Sequence, residues 1–393
     1  MGGNINDDFN KISNLAVIWI TTFTTMLGIG LIAPIMSIFA ESLGATNTEI
    51  GIIFGVFALF RTISQIPVGI LSDIFGKKPF IVIGTFFYGV FTLMYNIVGS
   101  VLGLLIIRSI TGFFSAFVTP IAGSYVANLA PKERLGEYMG IFNASINLGF
   151  AIGPFIGGFL ADMYGIQTPF YICGFLGILA SIIALIKLEE LPIKREVEIN
   201  INKLFSIEFL KNRLFLLSYI INTLSIISNA SIIVYLAIYA VSFKITLTQV
   251  GFMIASTNIL SALLQRYIGR LFDKFGIVVI ILGIIILSIG MYLISLSTTF
   301  FTLIFSLMVV AIGMAMVGTS AMSLAIRDIP PERKGEAMGL FTTSFNIGMF
   351  FGAVIFGVLA DFVGLSNMYK ISSILVLFLG SLCYLKIKKQ LNN

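Results

Sequence analysis

The chain has 393 residues, 58% of them hydrophobic and 11% charged, with a mean hydropathy of +1.04 and a formal net charge of +6. Soluble domains carry about 25% charged residues, so this composition excludes a chain folded around one aqueous core and makes the bilayer its solvent. The basic excess is spread over short loops rather than gathered in a patch, which points to membrane orientation and away from nucleic acid.

The two cysteines, Cys173 and Cys383, both lie inside apolar runs, and histidine is absent. That leaves no disulfide framework and no metal-ligand spacing, so neither a metal nor a cofactor is expected. The first apolar run is too long for the core of a cleavable signal peptide, which spans roughly 7–15 residues.

Apolar runs of about 20 residues are needed to cross the hydrocarbon. Twelve occur, at 14–39, 48–70, 79–98, 101–127, 139–161, 168–187, 214–241, 248–270, 277–296, 299–326, 338–361 and 369–387. None alternates as a barrel strand would, so the fold class is an all-α membrane protein of twelve transmembrane helices. Lys244 and Lys370 fall in loops on one side, and Arg61 and Arg108 fall within spans. With those four set aside, 20 of the 24 basic residues lie on the other side. The positive-inside rule makes that side cytoplasmic, with both termini on it, in an inner or plasma membrane. The longest stretch between runs, 189–213, is charged and then amphipathic at Leu204, Phe205, Ile207, Phe209 and Leu210, which predicts a short interfacial helix. No loop is long enough for an aqueous catalytic domain, so the chain does not read as an enzyme.

The chain is duplicated. Gly69-Ile-Leu-Ser-Asp73-Ile-Phe-Gly76-Lys77-Lys78 returns as Gly269-Arg-Leu-Phe-Asp273-Lys-Phe-Gly276. Thr48, Gly51 and Gln65 return as Thr248, Gly251 and Gln265, and the fifth run shares Ser145, Asn147, Gly149, Gly153 and Asp162 with Ser344, Asn346, Gly348, Gly352 and Asp361 of the eleventh. An even number of spans per copy gives two six-helix bundles in the same orientation, related by an axis along the membrane normal. The expected division is an N-terminal bundle over 1–188, a linker over 189–213 and a C-terminal bundle over 214–393.

With these motifs the chain resembles the major facilitator superfamily, over nearly its whole length and closest to the drug/proton antiporter-like exporters. Gly69, Asp73, Gly76, Lys77 and Lys78 resemble the family loop that acts as a cytoplasmic latch, with Ile74 where the family has arginine. Asp73 would then lean on Lys77 or on a group from a neighbouring helix, a helix N-terminus included. Gly269, Asp273 and Gly276 echo it. Gly149, Gly153, Pro154, Gly157 and Gly158 resemble the family's antiporter motif, in which the glycines permit close helix approach and the proline a kink. Arg108-Ser-Ile-Thr111-Gly112 resembles its fourth-span arginine motif.

An arginine in mid-membrane costs about 2.5–3.5 kcal/mol on insertion scales, so Arg61 is expected to face a cavity or a partner. Arg108 is placed nearer the outer surface, able to snorkel in part. The family's cavity is built mainly from the first, fourth, seventh and tenth spans, which puts Thr25, Thr111, Asn222, Asn229 and Tyr235 beside the two arginines as candidate cavity residues. All 18 Asp and Glu lie at helix ends, in loops or in tails. That counts against proton antiport, which commonly uses a membrane carboxylate.

The resemblance implies an alternating-access secondary transporter, a monomer in the lipid bilayer, exporting a small amphipathic compound with a proton or ion as coupling partner. The runner-up is an organic or inorganic anion exchanger or uniporter using Arg61 and Arg108. A third class is a sensor or scaffold that keeps the fold without transport.

Overall fold

In the computed structural model, residues 5–131, 134–191, 207–330 and 333–392 are described. Among them there is no strand. The helices are Ile5–Ser42, Asn47–Phe75, Lys77–Met94, Val101–Leu129, Leu135–Tyr164, Thr168–Lys187, Arg213–Val241, Leu247–Phe275, Val278–Leu296, Phe300–Ala325 and Lys334–Asn392. The first ten are called spans one to ten in that order. The last is far too long for one crossing: its apolar part, Ala337–Gln390, has 54 residues, about 80 Å of helix against about 30 Å of hydrocarbon. Gly364 divides it, at φ 79° and ψ 160°, a conformation open to glycine and strained for other residues. Residues before and after Gly364 are spans eleven and twelve, which completes two bundles of six.

Span four is itself broken at Ala116–Val118, just before Pro120 restarts the helix near its first position. Spans two and eight start from the same device. Thr46 and Thr246 cap them, with Glu49 and Gln249 reaching back to the capping residue's N–H. Within each bundle the packing repeats. Gly153 meets span one, where a Cβ would lie 2.7 Å from the Leu27 carbonyl oxygen, and Gly352 meets span seven, 2.5 Å from the Ile227 carbonyl oxygen. With no hydrophobic drive between helices in lipid, such close backbone approach is what holds them together.

Most of the linker, including Leu204 and Phe205 of the expected interfacial helix, lies outside the described residues. The segment Ile207–Lys211 is a 3₁₀ turn. Phe209 is buried there because it has protein partners, Phe215 at 5.9 Å between ring centroids and the Arg333 guanidinium at 4.7 Å over its ring. Arg333 also donates to Glu208 at 3.3 Å and holds that carboxyl below the usual glutamate range.

The bundles meet along two crossed pairs, span two with eleven and span five with eight. Both are antiparallel and both close at the end bearing the 43–46 and 243–246 turns. Small residues let them interlock: a Cβ on Gly51 would strike the Ala353 carbonyl, one on Gly158 that of Leu247 and one on Gly251 that of Pro154. Gly158→Val and Gly251→Val are therefore expected to lower thermal stability by about 1–3 kcal/mol through overpacking. Gly269→Val, whose Cβ meets nothing within 4 Å, serves as control. Equal melting temperatures for all three variants would contradict this packing.

Candidate functional site

The sealed end is clasped by two aspartates. Asp361, at the end of span eleven, accepts from the backbone N–H groups of Asn47 (3.0 Å) and Thr48 (2.9 Å), the first turn of span two. Asp162, at the end of span five, does the same for Leu247 (3.2 Å) and Thr248 (2.7 Å) of span eight. A helix N-terminus leaves its first N–H groups unpaired and carries partial positive charge, so each carboxylate supplies the missing acceptors and the favourable sign. Tyr235 adds to this clasp, donating to the Ala353 carbonyl at 2.7 Å and the Asn47 carbonyl at 3.1 Å. It stands in the seam between bundles, apart from the other candidate cavity residues.

Eleven residues further along span eight, Asn258 Nδ2 donates to the Phe150 carbonyl at 3.1 Å. The reason lies in Pro154. It has no N–H, so the carbonyl four residues before it loses its helical partner, and the opposite bundle provides one. The other seam needs no such amide. Ala353 stands where Pro154 does, and Ala58 where Asn258 does, packed in a dry cluster with Met349.

Beyond this depth the rows part. Helical neighbours recur three to four residues apart, so Gly51, Gly55, Ala58, Thr62, Gln65 and Gly69 form one row on span two. Gly158, Pro154, Ala151, Asn147, Ala144 and Gly140 form its counterpart on span five. Thr62 and Gln65 are half-exposed, and Ala144, Asn147 and, on span eight, Ala262 and Gln265 are exposed. A Cβ on Gly69, Gly140, Gly269 or Gly339 would meet nothing within 4 Å. Every described hydrogen bond between the bundles lies no further from the sealed end than Asn258. The two bundles thus part toward the Gly76/Gly276 end, which is the open one.

At that open end Asp73 pairs with Lys77 of its own loop. The Lys77 and Lys78 N–H groups donate to Glu190 at 2.9 and 3.0 Å, from the residues just past span six. Gly76, at φ 97°, makes the turn that lets Glu190 approach. Asp273 is exposed and Gly276 has open space around it. Gly149, Gly153 and Gly157 face span one and Gly158 faces span eight, while Pro154 lies between, its ring beside Gly30 of span one and its carbonyl against Gly251 of span eight.

Arg108 does not snorkel. It is 5% exposed, with its guanidinium 4.3 Å over the Phe57 ring and 5.3 Å from that of Phe54. The rings of span two draw the side chain into the bundle instead of letting it reach the surface, while its depth along span four stays as counted. Its Nε has no hydrogen-bond partner. Arg61 follows Phe57 by one turn on the same stripe of span two and is half-buried; it faces the protein, not the acyl chains. Tyr88 of span three lies within electrostatic reach of both arginines. Thr111 beside them is engaged, accepting from Tyr95 at 2.8 Å and donating to the Arg108 carbonyl. Thr25 donates to the Thr21 carbonyl at 2.8 Å. Asn222 donates to Ser344 at 2.7 Å, and Asn229 is half-buried on span seven. The polar rows of spans two, five, eight and eleven are not among the sequence candidates, although the repeated Gln65/Gln265 and Asn147/Asn346 pairs carry the signal. A concavity of about 600 Å³ lies between spans nine and twelve, lined by Ser288, Tyr292, Leu377 and Phe378. It is away from the arginines.

Asn258→Ala should leave the Phe150 carbonyl without this partner and cost about 0.5–1.5 kcal/mol of stability. Pro154→Ala in that background restores the helical N–H and should recover most of the loss. A double-mutant cycle in thermal unfolding reads the coupling, and strictly additive effects would contradict the pairing.

The family model of the Major Facilitator Superfamily matches residues 18–240 and 218–392. The chain is 64% identical over 380 residues, 96% of its length and 98% of the relative's, to Uncharacterized MFS-type transporter MJ1560 of Methanocaldococcus jannaschii. It is 30% identical, over 88% of its length and 89% of the relative's, to Quinolone resistance protein NorA of Staphylococcus aureus strain COL. Among solved structures it resembles a bacterial homolog of the human lysosomal transporter Spinster in an inward-facing, unoccupied conformation, with a TM-score of 0.80, 16% identity and coverage of 99% and 98%. It also resembles the nucleoside transporter NupG, with a TM-score of 0.76, 14% identity and coverage of 97% and 99%. The chain is a multi-pass membrane protein and a transporter rather than an enzyme, and it belongs to the Major Facilitator Superfamily.

Proposed function

We propose that the protein is an alternating-access secondary transporter that exports small amphipathic compounds, with the open end at the cytoplasm. The observation that carries this reading is the pair of seams sealed at one end whose rows continue, in register, to unoccupied glycines at the other.

The register follows from antiparallel geometry, in which a step along one helix is a step back along its partner. From Asn47 opposite Asp361, eleven residues on and twelve back reach Ala58 and Met349; a further eleven and ten reach Gly69 and Gly339. From Leu247 opposite Asp162, the same steps reach Asn258 and Phe150, then Gly269 and Gly140. Rocking the bundles would bring these glycines together while the sealed end parts. The same register sets Asp73 against the start of span eleven and Asp273 against the start of span five. That repeats at the open end the aspartate-to-helix contact already made at the other. Asp73 is then the latch, held in this conformation by Lys77. The latch would close by exchanging that local ion pair for the helix N-terminus.

The basic loops at the open end, among them Lys77, Lys78, Arg270 and Lys274, support a cytoplasmic position for it. Export is supported by the likeness to NorA, a quinolone resistance protein. The small amides and hydroxyls on the parting rows suit an amphipathic cargo.

The test uses protein with Cys173 and Cys383 replaced. The pairs Gly69→Cys with Gly339→Cys, and Gly140→Cys with Gly269→Cys, should each be joined by a short bifunctional thiol reagent. Joined protein should gain labelling, by an impermeant thiol reagent applied from outside, at a cysteine replacing Met349, which is buried in the seam cluster. Absence of cross-linking at both pairs would overturn alternation.

A further inference from the structure

We propose that the transported compound is an amphipathic organic acid whose carboxylate is held by Arg61 and Arg108; this rests on the transporter reading above and names its substrate class.

Three observations meet at one place. First, two guanidinium groups lie deep in the N-terminal bundle without a counter-charge. The described ion pairs are Lys77 with Asp73, Arg134 with Glu137 and Arg333 with Glu208, all at helix ends or loops. Second, Arg108 is sandwiched by apolar surface and still lacks an acceptor. Phe57 and Phe54 take its face, Thr111 is committed to Tyr95 and to its own helix, and Nε is buried and unpartnered. A planar guanidinium presents its donors along an edge that matches a carboxylate in two parallel bonds. Third, the place is reachable. Ala58 is the last residue of span two in the dry seam cluster, and Arg61 follows on the next turn, half-buried, at the depth where the rows begin to separate. Arg108 lies one ring behind it.

The duplication sharpens the point. The positions that repeat Arg61 and Arg108 are Ser261 and Leu307, and Ser261 is satisfied by the Ala311 carbonyl at 3.3 Å. The C-terminal bundle therefore offers hydroxyls and apolar surface where the N-terminal one offers positive charge. A compound with an acid at one end and an apolar body matches that polarity, with Phe54, Phe57 and Tyr88 beside the acid. Its carboxylate neutralises charge that the protein leaves unmatched, so a neutral or cationic analogue of the same shape forfeits that attraction.

The test is a melting curve of purified full-length protein with three probes of closely similar shape: 1-naphthylacetate, its neutral amide, and 2-(1-naphthyl)ethylammonium. The carboxylate should raise the melting temperature at a concentration at least tenfold lower than the amide requires, with the cation weakest. Arg61→Gln and Arg108→Gln should each erase that preference, and Arg61→Lys and Arg108→Lys should retain part of it. The lysine variants decide the matter wherever a glutamine variant melts lower without probe. Equal potency of carboxylate and amide, a preference surviving both glutamine variants, no shift with any probe, or a shift given by chloride alone would each overturn the inference. The glycine cross-links need no ligand, so alternation stands or falls apart from charge selectivity.

Discussion

A carboxylate closing the bare N-terminus of a helix that belongs to the other bundle is the contact on which this architecture turns. Asp361 over span two and Asp162 over span eight tie the bundles together at one end. Neither contact joins elements of the same bundle, so both must break if the bundles rock. An N-cap contributes about 0.5–2 kcal/mol, and about 1.4 kcal/mol shifts an equilibrium tenfold. Two such contacts bias the conformation without freezing it. Proteins that alternate need that balance, because a state held by many kcal/mol would trap the cycle.

The small residues of the seams serve the same end. Gly51, Gly158 and Gly251 let backbones meet at the sealed end, and the rows then turn polar where they separate. On the same four helices a close-packed lock gives way to separated rows that carry Thr62, Gln65, Asn147 and Gln265. The Asn258 to Phe150 contact marks the boundary on one seam and the Ala58 cluster marks it on the other. The two halves of the duplication have diverged at this depth: one seam carries a proline and the amide that answers it, the other a pair of alanines.

The gross fold is legible in the sequence because lipid imposes a length on every crossing helix, and because the duplicated loops at Gly69 and Gly269 fix the repeat. The ends of the rows are half legible. Asp162 and Asp361 are visible as matching residues, but not as caps, since their partners lie in the other bundle and only tertiary register brings them there. The place of Arg108 is hidden for a related reason. Depth along a helix follows from counting residues, whereas its orientation follows from Phe54 and Phe57 on a different helix. In lipid both faces of a span are apolar, so the alternation that marks the inner face of a soluble helix is weak. The seam rows of Gln65, Asn147 and Gln265 are therefore harder to assign than the loops.

The most direct measurement is the distance between spin labels placed in pairs across the bundles, one pair beside the 43–46 turn and span eleven's end, one pair beside Gly69 and Gly339, in protein with Asp162→Asn and Asp361→Asn together. The account predicts that the first distance lengthens while the second shortens, as one population growing at the expense of another. Distances that stay as in the unaltered protein, or that lengthen at both ends, would contradict it.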